Sequence, residues 1–402
     1  MATAYIYDAV RTPRGKGKKD GSLYTTKAVE LLTTTFKAIQ ERNKLDTSLV
    51  EDAIIGCVTQ SWEQSGDIAK AAAIHADYND IVAGVTLNRF CGSGLEAINQ
   101  AAAYVMSGQV DGLVAGGVES MSRVPMGSDG AMLMTDPNMI ASHHIVPQGI
   151  SADLIATMNG FTREMLDEFA TESHQRAAAA WEEGRFYKSI VPITDVNGIA
   201  LLEQDETVRV ETSPEILAGL NPSFEQMGVM GGFDSVAIQR YPEVERLQYL
   251  HHPGNSSGIV DGAALLLIGS EELGEKANLK PRAKVVSFGI VGAEPTIMLE
   301  GPVPASKKAL NKAGMDVSDI DLFEINEAFA VVPMRFMDLM KVSHDKVNVN
   351  GGAIAMGHPL GATGAMLTGT LLDELERQDK STGLISLCIG GGMGIATIIE
   401  RV

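Results

Sequence analysis

The chain has 402 residues, a formal net charge of −19, and a composition that is 45% hydrophobic and 21% charged. That length suits two or three domains, and the acidic balance excludes a general nucleic-acid binder, which needs a basic face to neutralise phosphates. Three cysteines exclude a disulfide framework and fit a reducing, cytoplasmic setting, and no apolar run is long enough for a transmembrane segment.

Taken in order, short β-branched runs alternate with longer helical patterns. Strands are predicted at 4–10, 53–59, 83–88 and 112–117, and helices at 27–43, 67–76 and 94–107. Such alternation builds a sheet covered by helices. The basic run Arg14-Gly15-Lys16-Gly17-Lys18-Lys19 reads as a solvated loop. Residues 125–255 break the rhythm, with helices at 151–159, 162–184 and 213–219 among turn-rich connectors. Methionines crowd the stretch from Met121 to Met165 and read as adaptable core.

The C-terminal part repeats the opening plan. Strands are predicted at 283–290, 320–325, 346–350, 384–389 and 395–400, and helices at 304–313, 327–340 and 362–377. Val85-Thr86-Leu87-Asn88 leads into Cys91-Gly92-Ser93-Gly94 and a helix; Val347-Asn348-Val349-Asn350 leads into Gly357-His358-Pro359-Leu360-Gly361 and a helix. Each helix is followed by a strand that ends in glycines, which signals an internal duplication. The chain therefore divides into an N-terminal half at 1–124 with 256–278, an inserted loop domain at 125–255, and a C-terminal half at 279–402.

Cys57 lies in an apolar strand and reads as a small hydrophobe. Cys91 follows a strand and precedes a glycine turn and a helix. A thiol there meets free N–H groups and the positive end of the helix dipole, which is expected to lower its pKa from about 8.5. His358 occupies the matching slot of the second half, and histidine is the usual base for a cysteine nucleophile. If a pseudo-twofold relates the halves, the two loops meet at one centre.

Cys388 ends a strand and opens Gly390-Gly391-Gly392-Met393-Gly394. That run fails the dinucleotide fingerprint at Ile395 and lacks the Lys-Ser/Thr of a phosphate loop, so it offers exposed N–H donors beside a sulfur. Asn326, in Glu324-Ile325-Asn326-Glu327-Ala328-Phe329-Ala330, either caps a helix or holds a water or substrate oxygen. No His or Cys spacing suggests a metal.

The stretches around Cys91, 254–263, 326–330, 357–364 and 388–394 together resemble the thiolases, in order and over nearly the whole chain. Arg11-Thr12-Pro13 is similar to the family's opening motif. The segment Val146-Pro147-Gln148-Gly149-Ile150-Ser151-Ala152-Asp153 is most similar to the bacterial thiolase subunits of fatty-acid β-oxidation complexes. The resemblance implies an α/β fold in five layers, αβαβα, made of two similar halves plus the loop domain, and a homodimer or dimer of dimers. It implies cleavage of 3-ketoacyl-CoA by CoA to acetyl-CoA and a shortened acyl-CoA, with CoA a substrate and no cofactor or metal. A hydratase/dehydrogenase subunit is an expected candidate partner.

Carried over by position, the resemblance makes Cys91 the acylated nucleophile, His358 its activator and Cys388 the second acid/base. Asn326 would hold a water that, with His358, binds the oxygen of the acetyl-CoA enolate. The amides of Cys91 and Gly390 would form the other oxyanion hole, and Ser257 and Phe329 would lie near the pantetheine arm of CoA. Thiolases specialised for acetoacetyl-CoA carry His-Met where this chain has Pro147-Gln148, which favours a degradative enzyme over the alternative, an acetoacetyl-CoA thiolase working in the condensing direction.

Overall fold

The β-branched and aliphatic runs form strands β1 (Tyr5–Arg11), β2 (Gly15–Lys16), β3 (Asp52–Gly56), β4 (Val85–Leu87), β5 (Gly112–Ser120), β6 (Ile193–Thr194), β7 (Ala200–Leu202), β8 (Val260–Gly269), β9 (Ala283–Gly292), β10 (Leu322–Ile325), β11 (Thr382–Ile389) and β12 (Met393–Arg401) in a computed structural model that describes residues 2–402. The main sheet runs β10-β11-β12-β9-β1-β8-β5-β3-β4, with β2 on β8. β5 and β8 are buried along their whole length, as continuous apolar strands covered on both faces should be.

The pairing order is duplicated. β3 lies parallel to β5, β5 antiparallel to β8, and β8 antiparallel to β1. In the second half β10 lies parallel to β11, β11 antiparallel to β12, and β12 antiparallel to β9. The halves join where β1 meets β9 through Tyr5 opposite Lys284 and Ile6 opposite Ala283. Between β5 and β8 the first half carries residues 121–259, where the second half has only the turn at 390–392.

Helices Ser93–Ser107 and Thr363–Arg377 pack on each other, and the apolar cluster around them draws on both half-sheets. Helices Ala28–Asn43 and Ile68–His75 cover the outer face of the first half, and Pro302–Ala313 with Val331–Met340 cover that of the second. The layers are therefore αβαβα, with the continuous sheet wrapped around the central helix pair. Close approach of that pair depends on glycine. A Cβ on Gly364 would sit 2.2 Å from the Leu95 nitrogen, and one on Gly94 would sit 2.7 Å from the Gly361 oxygen.

Four expectations change. Residues 346–350 are not a strand; only Val347 bridges to Phe323. Asn348 adopts φ 50°, and its side-chain amide trades hydrogen bonds with the Ile325 N–H and C=O, taking the place of a ladder rung. The helix predicted at 327–340 begins at Val331, with Ala330 at its N-cap position and no capping side chain, so Asn326 is not a cap. The basic run is not a simple solvated loop. Arg14 is buried against Asp205, which also pairs with Arg11, and Gly15–Lys16 joins the sheet. The methionine-rich stretch is not one core, because Met121 is buried while Met126 and Met132 are exposed.

Candidate active site

Cys91 is presented by a sharp elbow. Phe90, just before it, has φ 44°, a strained conformation for an aromatic residue. Ser93 holds the turn: its Oγ donates to the Phe90 carbonyl at 2.6 Å and accepts from the Arg89 N–H at 2.9 Å. Asn88 accepts from the Phe90 N–H and donates to the Val58 carbonyl. The helix Ser93–Ser107 starts immediately after, so its free N–H end faces the sulfur. A Cβ on Gly92 would stand 2.5 Å from the tip of the Ile389 side chain, so this loop packs closely on the end of β11.

His358 comes from the matching loop of the second half. Its Nδ1 is hydrogen-bonded to the Thr363 hydroxyl. That hydroxyl donates its single hydrogen to the Pro359 carbonyl at 2.9 Å, so it accepts from Nδ1–H. Nε2 is left as the lone-pair nitrogen, and the Asn326 Nδ2 donates to it at 3.3 Å. The Asn326 Oδ1 is buried without a protein hydrogen-bond partner, an acceptor available to a bound molecule. Asn326 itself is held where β10 ends by its N–H bond to the Ser386 carbonyl.

Cys388 lies in β11 beside Cys91, fully buried in an apolar cluster with Phe329 and Ile354. The Gly390 N–H at the turn that follows, the Cys91 N–H and the Gln148 side-chain amide are the groups that pull the Cys91 thiol pKa down. Phe329 packs edge-on against Phe224 and His251 at 5.9 and 5.5 Å between ring centres. Ser257 is half-buried and bonds through its N–H to the Ala328 carbonyl. Cys91, His358, Cys388, Asn326 and Gly390 thus converge, with Phe329 and Ser257 on their flank. Cys57 is buried in the first-half core and joins none of these hydrogen bonds.

The electrostatics depart from the low thiol pKa expected at a helix N-terminus. Burial pushes the Cys91 thiol up to about 11, against the three donors that pull it down. The donors are present, but removing water outweighs them. Burial also raises Cys388, and proximity to Cys91 raises it further. Burial, helped by the Arg14 guanidinium, lowers His358 to about 3. The resting site therefore holds two neutral thiols and a neutral imidazole, whose Nε2 lone pair takes the Asn326 hydrogen bond.

Residues 4–239 match the family model for the thiolase N-terminal domain, and 279–401 match that for the thiolase C-terminal domain. The chain belongs to the thiolase family. It is 41% identical over its full length to a protein of Escherichia fergusonii named 3-ketoacyl-CoA thiolase, and 40% identical to one of the same name from Cronobacter sakazakii, each covered completely. Among solved structures it resembles the Bacillus anthracis acetyl-CoA acetyltransferase, with TM-score 0.86 and 34% identity, covering 100% of this chain and 99% of that one.

This thiolase also uses residues that no motif pointed to. Glu119, at the end of β5, is fully buried and accepts from the Val58 and Thr59 N–H groups, the Gln64 amide and the Gly361 N–H. One carboxyl thus pins the loop after β3 to the loop carrying His358. Thr363 fixes the imidazole, and the Gln148 side-chain amide lies at the Gly390 turn. Only a carboxylate inside an apolar strand, Val118-Glu119-Ser120, could have hinted at the first. His251 and His252 are buried against Asp153 and Asp167 and serve the loop segment's packing. Among the described residues no cluster of His, Cys, Asp or Glu is arranged to hold a metal, and no helix is long and apolar enough to cross a membrane.

Proposed function

We propose that this acyltransferase is a 3-ketoacyl-CoA thiolase of fatty-acid β-oxidation. The observation that carries the reading is the convergence of Cys91, His358, Cys388 and Asn326 from two duplicated halves, in a chain that matches 3-ketoacyl-CoA thiolases end to end.

In the first half-reaction the Cys91 S–H gives its proton to His358 Nε2 while sulfur bonds the 3-keto carbon. The carbonyl pair moves to oxygen, which the N–H groups of Cys91 and Gly390 receive. Collapse breaks the bond between the second and third carbons. Its electron pair leaves as the enolate of acetyl-CoA, whose oxygen is held by His358 and a water on Asn326, and Cys388 protonates the carbon. The unpartnered Asn326 Oδ1 supports the water's assignment. In the second half-reaction CoA passes its thiol proton to the Cys388 thiolate and attacks the acyl carbon. Cys91 leaves as thiolate and takes the proton back from His358. Thiols, imidazole and amides carry every step, and CoA enters as a substrate.

Segment 125–255 is assigned to CoA and acyl binding, with Ser257 and Phe329 along the pantetheine path. The assembly is assigned as a homodimer or dimer of dimers; the exposed edge of β4, where Val85 is 42% exposed, supports pairing there. Three free thiols support a cytoplasmic setting. A hydratase/dehydrogenase subunit is the partner to seek by pull-down. Thiolysis rates across 3-ketoacyl-CoA substrates from short to long chain test the substrate class. Activity on medium and long chains is expected; activity on acetoacetyl-CoA alone would move the assignment to the condensing enzyme.

A further inference from the structure

Glu327 follows Asn326 directly and is 1% exposed. Its carboxylate takes three donors from two other segments. Oε1 accepts from the Asn348 amide at 2.9 Å, and Oε2 accepts from the Ser173 hydroxyl at 2.6 Å and the Ile354 N–H at 3.1 Å. The Ser173 Oγ in turn accepts from the Gly352 N–H at 3.1 Å. Asn348 also bonds the N–H and C=O of Ile325, so it grips the strand end that precedes Asn326. A Cβ on Gly352 would stand 2.2 Å from the Glu327 carboxyl carbon, so that backbone lies directly on the carboxyl. Ile354 belongs to the short helix Ala353–Met356, which runs straight into Gly357 and His358. Ser173 belongs to the helix Arg163–Glu182 of the loop segment, and a Cβ on Gly351 would stand 2.4 Å from its carbonyl oxygen. One carboxylate thus joins the loop of Asn326, the segment leading to His358 and a helix of the loop segment.

We propose that Glu327 is a positioning residue for the enolate-binding part of the centre, whose carboxylate sets the spacing between Asn326 and His358. This rests on the thiolase reading given above. The Asn326 Nδ2 and His358 Nε2 are 3.3 Å apart, already long for a hydrogen bond, so a small shift of either loop separates them. All three groups on Glu327 are donors, and an ionised carboxyl satisfies them together. A glutamine in its place turns an N–H₂ toward at least one of them, and that donor is left buried without an acceptor. The cleavage step depends on this spacing, because His358 and the water on Asn326 receive the enolate oxygen together. Return of the acyl group to CoA relies instead on the N–H groups of Cys91 and Gly390, which come from other loops. Loss of the carboxylate is therefore felt more in one half-reaction than in the other. Ser173 carries the same contact into the loop segment, so the helix Arg163–Glu182 shares in placing the two groups.

The experiment is a rapid-quench single turnover with a 3-ketoacyl-CoA, first without CoA and then with it. The first phase reads acetyl-CoA released as Cys91 is acylated; the second reads acyl-CoA released when CoA is added. Glu327→Gln is expected to slow the first phase by about tenfold to a hundredfold and the second by less than about threefold. A second phase slowed as much as the first, or no slowing of either, overturns the proposal. Should Glu327→Gln fail to fold, Ser173→Ala keeps the carboxylate and removes its link to Gly352. The first phase of that variant is expected to slow by about fivefold with the second near wild type, and the same two outcomes overturn the proposal. Wild-type protein separates the two readings. If it releases no acetyl-CoA in the first phase, the thiolase reading itself fails, whatever Glu327 does.

Discussion

The Thr363 hydroxyl accepts the Nδ1 hydrogen of His358 while donating its own to the Pro359 carbonyl, and this pair of bonds fixes which imidazole nitrogen is the base. Thr363→Val keeps the volume and leaves Nδ1–H buried without an acceptor. A kcat for thiolysis lower by about tenfold to a hundredfold is expected, with Thr363→Ser near wild type. Equal activities of the two variants would show that the hydroxyl does not orient the base.

His358 stays neutral to about 3 because burial and Arg14 oppose its charge. The base form is therefore already complete at neutral pH, and kcat/KM should show no acid limb centred near the ordinary histidine value of about 6.5. Stability follows from the same depression. Between about 3 and 6.5 the unfolded chain binds a proton at this residue and the folded chain does not, so stability is full above that window and falls as pH drops through it. His358→Asn should lose less thermal stability on acidification than wild type, by up to about 1.4 kcal/mol per pH unit. Equal losses would place the acid sensitivity elsewhere, as at His174, also lowered by burial, to about 4.

Glu119 takes hydrogen bonds from four donors with two oxygens. Gln would turn an N–H₂ toward donors that need an acceptor. Glu119→Gln should destabilise by about 3 kcal/mol and lower activity, since the loop carrying His358 is tied to the loop after β3 through this carboxyl. Differential scanning calorimetry beside thiolysis rates checks it; an unchanged transition would mean water replaces the carboxyl.

Gly364→Ala places a methyl 2.2 Å from the Leu95 nitrogen. The central helices must then separate, carrying the loops of Cys91 and His358 apart. Soluble but inactive protein, or loss of folding, is expected, whereas Gly108→Ala tests ordinary helix-end strain, because φ there is 72° but no atom lies near. If the two variants behave alike, the helix contact is not what limits residue 364.

Much of this arrangement was legible in one sequence. The duplicated approach to Cys91 and His358 announced both the repeated sheet order and the meeting of two loops. Cys388 was marked by the glycines after it, and the Gly390 N–H among them favours the Cys91 thiolate. What the sequence hid were effects of tertiary packing. A strand was expected at 346–350, but the Asn348 side chain replaces the ladder there. A low thiol pKa was expected from the helix end, but local dipoles do not report how completely water is excluded. Glu119, Thr363 and Gln148 act across elements 50 or more residues apart or inside a single turn, as with the link from Glu119 to Thr59 across 60 positions and to Gly361 across 242, and no local pattern encodes such contacts.

The most direct test is to incubate the protein with a 3-ketoacyl-CoA while withholding CoA, and to map the trapped acyl group by peptide mass spectrometry. The acyl mass is predicted on the peptide carrying Cys91, with Cys388 and Cys57 unmodified, and its release as acyl-CoA when CoA is added. An acyl group on Cys388, or product formation by Cys91→Ala at the wild-type rate, would contradict the account.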